Sequence, residues 1–516
     1  MSATADRRAS GQGWRVAASL LLLSGFLLAP LGYPGYFQPH SGFQPVYTLY
    51  AWEAAGRPID GLPASSLTGS AGGDGVLSYC LAFLFRLMGA DGPSAVKAVY
   101  ALAVLLAVGG ALALFRGHRS GATGGSIALG LALAWAGSPM VLASIYVRGW
   151  PGGSLALGML PWLALALAYP APGGATSWRS VAPILPGLAL GLAHPGFALI
   201  AGAVLAAVAL VAHRRVNLRP LVGLLLTGTA GLIAAPGTAS ASFRQFSWPY
   251  QWLGHTAGYA AHSAPWGPGV PAPLTLGLLP VGLFAAACLL VQPGLRARCV
   301  VVGAVAVVLL LLSTELARPL WEGRLAWALD GPWQLVALAS FVLLWASAPP
   351  VVQLLPTQAL SGGALALLAL LLALPFLDVP LSPVTPAARP LAAFDDGRIL
   401  LVRAELHGPL RHGATPRLRL FWQATQPLER NYTVFVHVVD QADRKWGQRD
   451  SWPVDGTRPT TSWRPGEVVV DDHLVHVDLD GPREGYRVLV GLYDLGTGER
   501  LTLSDGTTAV ELGRED

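Results

Sequence analysis

Residues 99–115 read VYALAVLLAVGGALALF, seventeen positions in a row without a charged side chain. As a helix rising 1.5 Å per residue, this stretch covers most of a bilayer core of about 30 Å. A helix also bonds its own backbone N–H and C=O groups, which is the condition for entering lipid. Runs at 16–31, 300–312 and 364–374 have the same character. The whole chain of 516 residues is 53% hydrophobic and 12% charged, with a mean hydropathy of +0.50. That composition lies far outside the range of soluble globular domains. The sequence therefore reads as a polytopic α-helical membrane protein.

Counting apolar segments outward from this run predicts about eleven transmembrane helices, near 14–32, 94–115, 124–145, 152–170, 180–194, 196–212, 218–236, 272–292, 298–313, 332–348 and 356–377. The stretch 76–88, with Arg86 inside it, is short for a span and reads as a helix lying on or dipping into the membrane surface. Arg7 and Arg8 precede an apolar run, as in a signal peptide. No small-x-small cleavage pattern follows, so the run reads as an uncleaved first helix. Connectors carrying Arg116, Arg119, Arg179, Arg214, Arg215, Arg219, Arg296 and Arg298 alternate with connectors carrying acids. The positive-inside rule assigns the basic ones, and the N-terminus, to the cytoplasm. An odd number of crossings then puts everything after residue 377 outside, together with Glu53, Asp60, Asp74, Asp91, Glu315, Glu322 and Asp330. The expected location is the plasma membrane, with an extracytoplasmic C-terminal domain.

Charge separates the two parts of the chain. Residues 1–387 hold 18 Lys and Arg against 9 Asp and Glu, whereas 388–516 hold 16 against 20. Beyond a Pro-rich linker at 375–390 the pattern changes to period two at 399–405, 417–422, 432–439, 467–477 and 486–493. Turn signals at Asp455-Gly456, 464–466 and 496–498 separate these runs. The reading is a transmembrane domain at 1–387, with a long outer loop at 33–91, followed at 388–516 by an all-β antiparallel sandwich of seven or eight strands.

Several function classes fit poorly. No block of like charge forms a nucleic-acid footprint. Cys80, Cys288 and Cys299 all lie in apolar segments, which argues against disulfide stapling and a zinc site. No His or Asp cluster has metal spacing, so no metal or cofactor is expected. Matched halves with broken spans and mid-membrane charges, the marks of a transporter, are not evident.

The outer loops hold the candidate chemistry. The first, at 33–91, is far longer than the usual connector in a helix bundle. It carries His40, many aromatic residues and a Gly-rich segment at 69–75. The second, at 237–271, supplies Arg244 among aromatic residues suited to an interfacial belt. The third, at 313–331, holds Trp321 and Glu322. His194, before Pro195, sits at a tight turn and reads as a polar contact within the bundle.

Taken in order, QPHSGFQPVY at 38–47, the glycines at 56–75, YVRG at 146–149, LAH at 192–194, PLWE at 319–322 and GPWQ at 331–334 resemble the pattern of the glycosyltransferase C superfamily. The match looks most like the branch labelled pyruvoyl-tetrahydropterin-synthase-related membrane proteins. In the tail, VFVH at 434–437, QRDS at 448–451, WRPGE at 463–467, VGLYD at 490–494 and GERL at 498–501 look like a β-sandwich appended to such proteins in some bacteria. Asp450, Glu467 and Asp494 read as residues that brace loops in that sandwich.

The resemblance implies a membrane glycosyltransferase that moves a sugar from a polyprenyl-phosphate carrier to an envelope glycan, lipid or protein acceptor on the outer face. A loop carboxylate would be the general base, and cationic groups would steady the lipid phosphate as it leaves. The family commonly has His-Asp where this chain has His40-Ser41, and a Glu where it has Gly153. The base must then come from Asp74, Glu53 or Asp60. His40, Arg148, Arg244, Trp321 and Glu322 are the substrate-binding candidates, with the two arginines suited to phosphate oxygens. The alternative is a catalytically inactive relative serving as a membrane-anchored scaffold or glycan-binding protein, which the missing acid at Ser41 favours.

Overall fold

The computed structural model describes residues 22–33, 36–37, 45–46, 49, 75–116, 122–169, 181–214, 216–234, 246–247, 249–253, 275–321, 329, 331–355, 359–377, 379, 381–382, 390–463, 468–503 and 506–512. The chain divides into two compact units. Met1–Pro34 with Trp52–Leu381 forms one, and Gly35–Ala51 with Ser382–Asp516 the other.

The first unit is helical: α1 (Leu22–Gly32), α2 (Val76–Leu87), α3 (Gly92–Arg116), α4 (Ala122–Ala136), α5 (Pro139–Val147), α6 (Pro151–Ala168), α7 (Ile184–Ala193), α8 (Pro195–His213), α9 (Arg219–Ala234), α10 (Leu278–Leu290), α11 (Pro293–Leu312), α12 (Gln334–Leu354) and α13 (Ala359–Ala373). Among the described residues, α3, α6, α8, α11 and α12 are long and apolar enough to cross a membrane. The bent pair α4 and α5 makes a sixth if it is one span.

Five or six is fewer than the eleven crossings the hydropathy predicts; the windows at 14–32, 218–236 and 356–377 run into residues outside the described ones, and in others the reason is local. Apolar residues in turns inflate a hydropathy window without adding helix. The window at 272–292 holds a helix of 13 residues, because Gly277 has φ 86° and ends the extended approach only one residue before Leu278. The window at 180–194 yields 10 residues, about 15 Å of rise. In the window at 124–145, Pro139 cannot donate a backbone hydrogen bond, and the chain bends by 47°.

Small residues let the helices touch. Gly187 and Gly191 on α7 are four apart, and a Cβ at either would lie 1.9 Å from an α9 atom, Pro220 O or Thr227 Oγ1. This small-xxx-small face brings the two backbones together without relying on a hydrophobic driving force, which lipid does not supply.

Helix pairings place both of the unit's described carboxylates at one end, together with Arg86, Lys97 and Arg318. α3 and α6 run in the same direction, since Trp162 Nε1 donates to Leu106 O at 2.9 Å and Gly158 lies against Ala103 O. Arg298 Nη1 donates to Ala212 O at 3.4 Å, joining the start of α11 to the finish of α8. Asn217 N donates to Leu167 O at 2.9 Å, bringing the approach to α9 to the finish of α6. One end of the bundle thus gathers Arg116, Arg214, Arg219, Arg296 and Arg298. Asp91, ahead of α3, and Glu315, after α11, fall at the opposite end with Arg148 and His194. These are the unit's two described carboxylates.

The second unit contains two four-stranded antiparallel sheets built from β3 (Ala392–Phe394), β4 (Ile399–His407), β5 (Arg417–Ala424), β6 (Tyr432–Val439), β7 (Lys445–Ser451), β8 (Val468–Leu474), β9 (Arg487–Asp494) and β10 (Val510–Leu512). The orders are β3-β4-β5-β8 and β10-β9-β6-β7. Period-two alternation aims Leu418, Leu420 and Trp422 from one sheet and Val434, Val436 and Val438 from the other into a single core, as in a sandwich. A separate short ribbon pairs β1 (Tyr36–Phe37) with β2 (Leu381–Ser382).

Two inward positions on one strand break the apolar rule. Asp471 on β8 is fully buried, as is His473, whose Nε2 lies 2.7 Å from Asp471 Oδ2. The other oxygen, Oδ1, accepts from Val454 N at 2.8 Å and so pins the turn at Asp455-Gly456.

On the outer face, Asp472 accepts from the guanidinium forks of Arg417 and Arg419. Bonding to Arg419 and then Arg417 brings its carboxyl down to about 2. A depressed carboxylate pKa stabilises the fold above the ordinary range near pH 4 and ceases to do so as the pH falls towards 2. The group is over a third exposed, which limits its worth to about 1 kcal/mol after solvent screening. Asp472→Asn is expected to cost that much in denaturant unfolding at pH 7 and almost nothing at pH 2. An equal loss at both pH values would rule the ionic contribution out.

Candidate functional site

Four of the sequence stretches singled out above meet at the bundle end opposite the arginine cluster. The π-helical turn at Ala143–Val147 closes α5 and delivers Arg148. Its guanidinium carbon lies 3.3 Å from the centre of the Trp333 ring, a stacked cation–π contact. Trp333 is the N-cap of α12 and meets the Trp150 ring edge-on at 5.3 Å. Trp150, the N-cap of α6, meets the His194 ring at 5.2 Å.

His194 is the N-cap of α8. Its Nδ1 accepts from Phe197 N at 3.3 Å, satisfying one of the N–H groups that a helix start leaves unpaired. The other ring nitrogen, Nε2, lies 3.0 Å from Gln334 Nε2. His194 is thus the polar contact within the bundle that its place at the turn suggests.

Glycines make the convergence possible. Gly75 N donates to Ala193 O at 2.9 Å, and a Cβ at Gly75 would lie 2.1 Å from Leu192 O. This pins the end of the Gly-rich segment beside His194. A Cβ at Gly153 would lie 1.9 Å from the Trp150 ring. The indole therefore occupies the space into which a side chain at 153 would project, so the acid common at that position in the resembled family has no room here.

Trp150, Gly153, Leu157, Phe197, Trp333, Gln334 and Ala337 line a recess of about 10 Å³, which holds no more than one water. Trp150 Nε1 is buried and has no hydrogen-bond partner among the described residues. The recess presents only apolar surface, and Arg148 lies outside its lining, stacked on the Trp333 ring. A ligand larger than water has to displace an indole to enter. Among the described residues no three His, Cys, Asp or Glu side chains come together as a metal site requires.

Of the sequence candidates, Arg148 belongs to this cluster. Trp321 is buried elsewhere: its indole donates to Leu312 O at 2.8 Å, capping the end of α11. Near that helix end Ser247 N donates to Ser313 O at 2.9 Å and Trp252 Nε1 donates to Ser247 Oγ at 2.9 Å, so the second and third loops are stitched together there. Asp74, Glu53, Asp60, His40, Arg244 and Glu322 lie outside the described residues. Trp150 and Gln334 were not among the candidates. The only sign of them is RGWPGG at 148–153 and GPWQ at 331–334, each with an aromatic residue next to a glycine or proline. Compared with family models, curated proteins and solved structures, the chain matches none.

Proposed function

We propose that the protein is a membrane glycosyltransferase of the glycosyltransferase C type, taking a sugar from a polyprenyl-phosphate carrier and passing it to an envelope acceptor outside the cell. The observation that carries this reading is the meeting of Arg148, Trp150, His194, Trp333 and Gln334 at the end of the bundle that also holds Asp91 and Glu315. The five arginines at the other end, against Arg86, Lys97, Arg148 and Arg318 at this one, support an outer position for the cluster by the positive-inside rule. A lipid phosphate held by Arg148 leaves its isoprenoid chain in the bilayer. A carboxylate of the first loop, Asp74 or Glu53, then takes the proton of the acceptor hydroxyl as the bond to the anomeric carbon forms and the carrier phosphate departs.

Arg148→Ala is expected to lower sugar transfer in proteoliposomes at least 100-fold while leaving the unfolding temperature within a few degrees, with Arg148→Lys intermediate. Undiminished transfer by the alanine variant would remove the phosphate role. Glu53→Ala with Asp74→Ala is expected to abolish transfer, and retained turnover would reassign the base.

Gly153 favours a second reading, a catalytically silent scaffold or glycan-binding relative, because Trp150 fills the place of the family's acid. Envelope glycan binding by the full chain, with no turnover of any polyprenyl-phosphate sugar, would decide for it.

A further inference from the structure

At the arginine-rich end of the first unit, α8, α11 and α12 enclose a cleft of about 230 Å³. Its walls are mostly apolar, including Val208, Val302, Trp345 and Pro349, and its polar margin is formed by His213 and Arg298. The volume suits roughly eight groups the size of a water or a methylene, enough for part of an acyl chain and too small for a sugar carried on its lipid. The bond from Arg298 Nη1 to Ala212 O holds the guanidinium at the margin. Arg296 Nη2 donates to Leu289 O and Val291 O, both at 3.1 Å, keeping a second cation on the same first turns of α11. The positive end of the α11 dipole lies there as well. The described carboxylates of this unit, Asp91 and Glu315, are at the opposite ends of their helices. Along α11, Val300, Val301, Val307 and Val308 are about half exposed, an apolar flank suited to surrounding lipid.

We propose that this cleft holds one anionic glycerophospholipid, its phosphate on Arg298 and part of one acyl chain against Val302 and Trp345. Charge complementarity selects the anionic headgroup, as in other basic pockets between membrane helices, and the dry walls select a lipid over a free anion. The cleft and the His194 cluster lie at opposite ends of α8, a helix of 19 residues and so about 28 Å apart. This proposal therefore does not depend on the transferase reading.

The test is native mass spectrometry of the full chain, released from nanodiscs containing equal phosphatidylglycerol and phosphatidylcholine. The expected result is one retained phosphatidylglycerol. Arg298→Gln, at an exposed side chain, should weaken its retention tenfold or more. Ala346→Leu, which fills the cleft, should do the same. Arg116→Gln, at the same end of the bundle but away from the cleft, should leave retention unchanged. Equal weakening by Arg116→Gln and Arg298→Gln would reduce the effect to general surface charge and overturn the proposal. So would equal retention of phosphatidylcholine, or full displacement of the lipid by inorganic phosphate. Size-exclusion profiles matching the parent protein show that each variant is folded.

Discussion

Gly153→Ala is expected to destabilise the helical unit by about 3 kcal/mol, a cost typical of overpacking a tight interior. The added methyl would lie 1.9 Å from Trp150, and that ring cannot retreat without giving up its contacts with His194 and Trp333. The chain around 153 is the first turn of α6, where Ser154 Oγ donates to Trp150 O and Ser144 and Ser154 share a hydrogen bond, so the backbone is held too. Thermal unfolding of the purified full chain in detergent, followed by near-ultraviolet circular dichroism, measures the loss. The double variant Trp150→Ala with Gly153→Ala should cost less than the sum of the two single changes, because removing the indole removes the clash. Additive losses would mean that the strain lies elsewhere.

Asp471→Ala is expected to be the most damaging single change in the sandwich, at about 3–5 kcal/mol. It strips the partner from His473 and from Val454 N–H inside a core that water does not reach. Asp471→Asn should cost less, since an amide oxygen can still receive Val454 N–H. The readout is the denaturant midpoint of β-sheet unfolding in the full chain. If the alanine variant unfolds within 1 kcal/mol of the parent, the buried pair is not what holds the turn.

The strands were legible wherever one face is apolar. The stretch at 432–439 reads as Tyr, Thr, Val, Phe, Val, His, Val, Val and is β6 at the same bounds. Strand β7 carries Lys445, Gln448, Arg449 and Asp450 on a sheet edge, with no alternation to detect. Asp450 does brace, receiving the Tyr493 hydroxyl at 3.3 Å across the sheet, and Asp494 receives Gly496 N at 2.8 Å within its turn. For the helices, composition shows where they are and not how long they are. Pro139 and Gly277 decide the lengths through bends and dihedrals that hydropathy ignores.

Within the candidate site, Arg148 stood out as a cation at a helix end. Trp150 did not, because the chain has 17 tryptophans and only tertiary packing tells which of them faces another motif. His194 was legible as a bundle contact, and its partner Gln334, 140 residues away, was not.

The second unit draws on two stretches of chain, Gly35–Ala51 and Ser382–Asp516, with roughly 330 residues between them. At ribosomal rates of about 5–20 residues per second, the early stretch emerges roughly 15–65 s before its partners have been made. Tyr36, which is buried in the finished protein, passes that interval without its strand partner Leu381–Ser382. The helical unit is thus made before this short ribbon can pair, and a chain truncated near residue 380 leaves Tyr36 without its strand partner.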